Sequence, residues 1–77
     1  MEISKETAKQ RLEDYTRMLN EYEKSRIMIK ETLNRYTTVN QSHYILTDEL
    51  LSIEHTIGRI RQYVDFYQSE VEKHERN

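Results

Sequence analysis

Two heptad repeats of apolar residues, out of phase with each other, run through this 77-residue chain. In the first half, leucine recurs at the a positions and tyrosine or isoleucine at the d positions, and only Arg26 interrupts the series. In the second half, all but one of the corresponding residues are aliphatic. A 3.5-residue apolar repeat is typical of helices that pack side by side in a coiled coil. The predicted coiled-coil seam consists of Leu12, Tyr15, Leu19, Tyr22, Arg26, Ile29, Leu33, Tyr36, Leu46, Leu50, Ile53, Ile57, Ile60, Val64, Tyr67 and Val71.

The two repeats do not join into one. Continuing the first repeat past Tyr36 would place Asn40, Thr47 and Glu54 on a positions, where a seam requires apolar side chains. The intervening segment 37–42, Thr-Thr-Val-Asn-Gln-Ser, combines β-branched residues with residues that favour turns and helix caps. The phase shift and the weak helix propensity therefore place a break at the same point in the chain.

We expect one domain, 1–77, with a first helix over about 4–36, a turn over about 37–42 and a second helix over about 43–74. Ser4 and Ser42 are the expected N-caps, since a serine hydroxyl can accept a hydrogen bond from an unpaired amide of the first helical turn.

A chain that folds back at this turn would match the two seams in mirror image. Leu19 would face Ile60 and Tyr22 would face Ile57, so that each layer pairs an a residue with a d residue, as antiparallel packing requires. The sequence therefore predicts an all-α fold, a two-helix antiparallel coiled-coil hairpin. The alternative is one continuous coiled-coil helix of roughly 110 Å, at 1.5 Å per residue.

The composition favours helix throughout but supplies little core. The chain has no proline and a single glycine, Gly58, whereas strand-rich and loop-rich folds use both residues in turns. About a third of the residues are charged, and one narrow seam between two helices buries few side chains. We therefore expect the hairpin to be completed into a bundle by self-association or by partner helices.

The sequence lacks the residues that several kinds of catalytic or ligand-binding site require. The chain has no cysteine, no H-E-x-x-H metal motif and too few glycines for a phosphate-binding loop, so we expect no enzyme, no cofactor and no metal site. Its net charge is −2 and no block of basic residues occurs, which argues against binding to nucleic acid. The longest apolar runs are three residues, so we expect no membrane insertion. Without cysteines or a signal-peptide pattern, the expected location is intracellular, in the cytoplasm.

Arg26 is a polar residue at an a position of the first seam. Such residues can fix the register or the oligomeric state of a coiled coil while lowering its stability. Alternatively, its aliphatic stem can lie along the seam while the guanidinium reaches an acid such as Glu23, Glu49 or Glu54.

Eight large apolar residues within the two predicted helices fall outside both seams. Scattered apolar residues are normal on protein surfaces, but a self-sufficient hairpin would place polar residues here. Leu51, His55, Gly58, Gln62 and Phe66 follow one another at helical spacing and form part of a second stripe, in which glycine would allow a neighbouring helix to approach. Aromatic residues are favoured anchors in interfaces. The predicted partner-binding residues are Leu51, His55, Gly58, Tyr63 and Phe66, and the complete off-seam set is Met18, Ile27, Met28, Tyr44, Ile45, Leu51, Tyr63 and Phe66.

Two functional hypotheses follow from these patterns. The first is a non-enzymatic protein–protein interaction or scaffold subunit of a larger coiled-coil assembly, of a vesicle-trafficking or tethering, cytoskeletal or chromosome-segregation type, whose partners are other helices or a second copy. The alternative is a small helical regulator or adaptor that docks one helix into a groove of its target.

Overall fold

The computed structural model describes residues 3–35 and 41–76 and consists there of two α-helices without strands. Helix α1 spans Lys5–Arg35 and helix α2 spans Gln41–Arg76, and the two pack against each other. The Cα atoms extend over 58 × 19 × 14 Å, about half the length that a continuous helix of this chain would need. The predicted all-α helical hairpin is confirmed, and the continuous-helix alternative is wrong.

Contacts between the helices run in opposite directions along the chain. Glu23 of α1 pairs with Arg61 of α2 at 2.7 Å. Further toward the turn, Lys30 pairs with Glu54 at 3.6 Å. Residue numbers therefore rise along α1 as they fall along α2, which shows that the helices are antiparallel.

The second helix begins earlier than the sequence indicated. Its first residue is Gln41, and its last is Arg76 rather than a residue near 74. Ser42 lies within the first turn, so its assignment as the N-cap is wrong. Serine, glutamine and asparagine all tolerate helix starts, and propensity alone does not select among neighbours of this kind. The remainder of the expected turn, 37–40, and the seam residue Tyr36 lie outside the described residues.

The first helix begins as predicted, with Ser4 as its N-cap. The Ser4 Oγ accepts a hydrogen bond from the Thr7 amide at 3.2 Å, and the Ser4 carbonyl accepts one from the Ala8 amide at 2.9 Å. Glu6 adds a negative charge to the first turn, where the helix dipole favours it. Ala8 is fully buried, so the cap fixes the start of α1 against the rest of the hairpin.

The core is a single narrow seam. Only four described apolar residues are fully buried, namely Ala8, Ile57, Ile60 and Val71. Fifteen of the sixteen predicted seam residues fall within the described part of the chain, and each of them is buried or half-buried. Most of the packing thus comes from side chains that α1 and α2 cover only in part.

An aromatic cluster packs between the helices in the half of the hairpin remote from the turn. The Tyr15 ring lies 5.1 Å from the Tyr63 ring and 5.7 Å from the stacked Tyr67 ring, measured between centroids. Tyr15 is thus level with the midpoint of these two residues on α2. At the end of the hairpin, the His74 Nε2 is 2.7 Å from the Ile3 carbonyl oxygen and ties the segment before α1 to the last turn of α2.

Replacing Ser4 tests the contribution of the cap. Ser4→Ala should lower the free energy of unfolding by about 1 kcal/mol, because the Thr7 amide loses its acceptor. Ser4→Asp supplies a carboxylate acceptor and should retain most of the stability. Urea denaturation followed by circular dichroism measures both. Equal stability of Ser4→Ala and the parent chain would show that the cap contributes nothing.

Ile57→Asp tests whether the seam holds the helices together. Ile57 is 2% exposed, so the substitution would place a carboxylate among apolar side chains and should remove most of the helical signal in far-ultraviolet circular dichroism. Gln62→Asp, at an exposed position of the same helix, is the matched control and should remain helical. Retained helicity in Ile57→Asp would contradict a structure that depends on this seam.

Candidate helix-docking surface

Eight large apolar side chains are exposed on the hairpin. The most exposed is Met28, at 67%, and the least is Met18, at 39%. These are the same residues that the heptad registers placed outside the seams. The described set is Met18, Ile27, Met28, Tyr44, Ile45, Leu51, Tyr63 and Phe66.

The hairpin exposes more surface than a compact protein of its mass. Its accessible surface is 6158 Å², whereas a typical folded monomer of 9.5 kDa has about 5000 Å². The excess of about 1100 Å² exceeds the roughly 800 Å² that each partner buries in a standard protein–protein interface. Two helices in contact along one side leave this area uncovered, and apolar side chains occupy part of it.

One side of the seam is closed by charge. Glu23, Lys30, Glu54 and Arg61 all lie at e positions, which face each other across an antiparallel pair of helices. They form the two interhelical ion pairs described above, Glu23 with Arg61 and Lys30 with Glu54. We call these four residues the ion-paired flank. A further helix that approached here would have to desolvate or displace both ion pairs.

The opposite side of the seam carries no charge along its middle. Its g positions hold methionine, serine, threonine and tyrosine, and the charged g residues lie only toward the two ends of the hairpin. We call this surface the uncharged flank, and it consists of Met18, Ser25 and Thr32 of α1 with Thr56 and Tyr63 of α2.

The threonines of the uncharged flank donate their hydroxyl hydrogen bonds to backbone carbonyls of their own helices. The Thr32 Oγ1 donates to the Met28 carbonyl at 2.9 Å, and the Thr56 Oγ1 donates to the Ser52 carbonyl at 3.0 Å. Both side chains are half-buried. Because these donors are satisfied locally, a helix could cover the flank without leaving the two hydroxyl groups unpaired.

Aromatic side chains border the uncharged flank. Tyr63 is 43% exposed although its ring contacts Tyr15 across the seam. Phe66, one turn further along α2, is 48% exposed and packs edge-on against the Tyr67 ring at 5.0 Å. Neighbouring rings hold both side chains in place, so docking them would cost little additional conformational entropy.

The structure divides the predicted partner-binding residues into two groups. Tyr63 and Phe66 lie at or beside the uncharged flank. Leu51, His55 and Gly58 are also exposed but point away from α1, on what we call the outer face of α2. Apart from its chain neighbours and the backbone of its own helix, no heavy atom lies within 4 Å of the position that a Gly58 Cβ would occupy, so packing against α1 does not require glycine there.

Most of the uncharged flank carries no apolar signal in the sequence. Met18 and Tyr63 are off-seam apolar residues, whereas Ser25, Thr32 and Thr56 are small polar residues that apolar periodicity does not single out. Their common signal is the g position, and it becomes visible only when both heptads are placed in antiparallel register. In that register the g positions of the two helices lie on one side and the e positions on the other.

Arg26 lies on the seam without a partner for part of its guanidinium. It is half-buried, and its Nε is buried with no hydrogen-bond partner among the described residues. Two of the acids expected to receive it are engaged elsewhere, Glu23 with Arg61 and Glu54 with Lys30. Arg26 is therefore a polar seam residue that lowers the stability of the hairpin as it stands.

Other kinds of site find little support in the described part of the chain. Residues 3–35 and 41–76 contain no cluster of three or more metal-ligating side chains. Neither described helix combines the length and the apolar content needed to cross a membrane. An open groove of about 600 Å³ lies along the start of α1, and its lining is mostly polar: Glu6, Thr7, Gln10, Arg11, Asp14 and Tyr15.

Comparison with protein-family models, with curated proteins and with solved structures finds no match to this chain.

Replacing Arg26 tests its effect on the seam. Arg26→Met keeps the aliphatic stem and removes the buried unpaired Nε, so it should raise the free energy of unfolding by about 1 kcal/mol. Lys24→Met, at an exposed position two residues earlier, is the control and should change stability by no more than about 0.5 kcal/mol. Urea denaturation measures both. A loss of stability in Arg26→Met would mean that the guanidinium contributes favourably to the hairpin.

Proposed function

We propose that this chain is a non-enzymatic helical interaction module, a subunit that completes its core by docking helices of another protein molecule. The docking surface is the uncharged flank together with Phe66. The observation that carries the proposal is the asymmetry of the seam, which is closed by ion pairs along one side and bordered by exposed apolar and hydroxyl side chains along the other.

Burial of apolar surface is the proposed source of affinity. Met18 and Tyr63 lie on opposite helices of the uncharged flank, so a third helix in this groove would contact both. Phe66 and Tyr63 are the expected anchors, since aromatic side chains fixed by neighbouring rings contribute most to interface energies. Charges around the flank would select the partner and its orientation more than they would add affinity.

The proposed setting is a scaffold subunit of a trafficking, cytoskeletal or chromosome-segregation assembly, and a reducing intracellular compartment suits a chain without cysteine. The small-regulator alternative would use one exposed helix face. The outer face of α2, with Leu51 at 60% exposure, is the surface that favours it.

Phe66→Ala tests the proposed docking surface. The substitution should leave the far-ultraviolet circular dichroism nearly unchanged, because Phe66 is half exposed and outside the seam. It should weaken association at least about tenfold, in line with the loss of an aromatic hot spot. Association is measured by analytical ultracentrifugation of the purified chain and by retention of cell-extract proteins on the immobilised chain.

Tyr44→Ala is the matched control, since Tyr44 is an aromatic residue of α2 that is 63% exposed and remote from the uncharged flank. It should leave association unchanged. The proposal is wrong if the folded parent chain neither self-associates nor retains any protein, or if Phe66→Ala and Tyr44→Ala behave alike.

A further inference from the structure

We infer that the helices docking on the uncharged flank are those of a second copy of this chain, arranged as a four-helix bundle whose two-fold axis runs along the helices. In this bundle Glu21 of each chain pairs with Arg59 of the other. The inference rests on the proposed function and names the partner of the same surface.

The aromatic cluster fixes which residues lie level with each other. Tyr15 contacts both Tyr63 and Tyr67, so it is level with the residue midway between them on α2. Six residues further toward the turn, Glu21 of α1 is therefore level with Arg59 of α2. A two-fold axis parallel to the helices preserves these levels, so Glu21 of one chain is also level with Arg59 of its partner.

Glu21 and Arg59 lie on the same side of the hairpin but do not form an ion pair with each other within one chain. Both occupy c positions, one step outward from the uncharged flank, so their side chains diverge from the seam. Both are exposed, and neither has an ion-pair or hydrogen-bond partner among residues 3–35 and 41–76. When α1 packs against α2 of a second copy, c positions face c positions, and the carboxylate meets a guanidinium. The two-fold axis forms this ion pair twice.

The same register places uncharged residues together along the middle of the flank. Met18 and Tyr63 lie close to one level, so Met18 of each chain faces Tyr63 of the other. Ser25 and Thr56 likewise lie level, and their small side chains let the helices approach closely. The charge-free middle of the flank is thus covered by the charge-free middle of the second copy.

The area of the hairpin agrees with an interface of this size. Its surface exceeds that of a compact monomer by about 1100 Å², against roughly 800 Å² buried per partner in a stable dimer. The other two-fold arrangement, with its axis across the helices, would pack α1 on α1 and α2 on α2. It would separate Glu21 from Arg59 of the partner, so the complementarity of these two residues favours the axis along the helices.

A charge-swap series tests the inference. The parent chain, Glu21→Arg, Arg59→Glu and the double variant are compared by sedimentation equilibrium over a wide concentration range, with circular dichroism to verify helicity. The parent should have twice the mass of the 9.5 kDa chain. Each single variant should dimerise at least about tenfold more weakly, because like charges then face each other twice. The double variant should recover to within about threefold of the parent, since the pair is restored in reverse. Glu31→Arg, at an exposed f position of α1 that faces away from the seam, is the control and should have no effect.

Three results would overturn the inference: a parent chain of monomer mass, a dimer that the single variants do not weaken, or a double variant as weak as the singles. A different outcome would contradict the proposed function. A monomeric parent that retains another protein through Phe66, with Tyr44→Ala as control, leaves the docking surface intact and removes only the second copy.

Discussion

One apolar seam between two antiparallel helices carries the whole structure. Only four described side chains are fully buried in it, so most of the stabilisation comes from residues that the partner helix covers in part. Hydrophobic stabilisation is roughly proportional to the apolar area removed from water. A seam of this width therefore leaves a large part of the available stabilisation unused, and a surface beside it can supply what the hairpin lacks.

The heptad pattern predicted the hairpin because burial along a helix follows the 3.5-residue period. The phase shift before His43 favoured a chain that folds back, and the packing of α1 against α2 decides between that and a continuous helix. Helix α1 begins at its predicted cap because the Ser4 hydroxyl accepts a hydrogen bond from the Thr7 amide of the first turn. The start of α2 was misplaced by two residues, since Asn40, Gln41 and Ser42 all suit a helix start and local propensity does not rank them.

The docking surface was predicted only in part, because it depends on how the two helices are placed relative to each other. The sequence shows which residues are off the seam, but not on which side of the hairpin they lie. That assignment depends on the cross-helix register, which the contacts of the Tyr15 ring with Tyr63 and Tyr67 define. Once the register is known, Tyr63 and Phe66 separate from the outer face of α2. Small residues such as Ser25 carry no apolar signal, so a search for hydrophobic periodicity passes over them.

Two residues are expected to lower the stability of the isolated hairpin, Arg26 in the seam and Gly58 within α2. Arg26 brings a buried nitrogen without a partner into the seam, and Gly58 lowers the helix propensity of α2 at a position where a Cβ would meet open space. Neither is needed for packing within the hairpin. In a chain with so little core, such residues are easier to accommodate when other helices add stability. A polar seam residue also penalises packings of the two helices that bury it more deeply. Both features therefore agree with a chain whose stable unit is larger than one hairpin. Arg26 also agrees with a seam in which the alignment of the two helices is specified at a cost in stability.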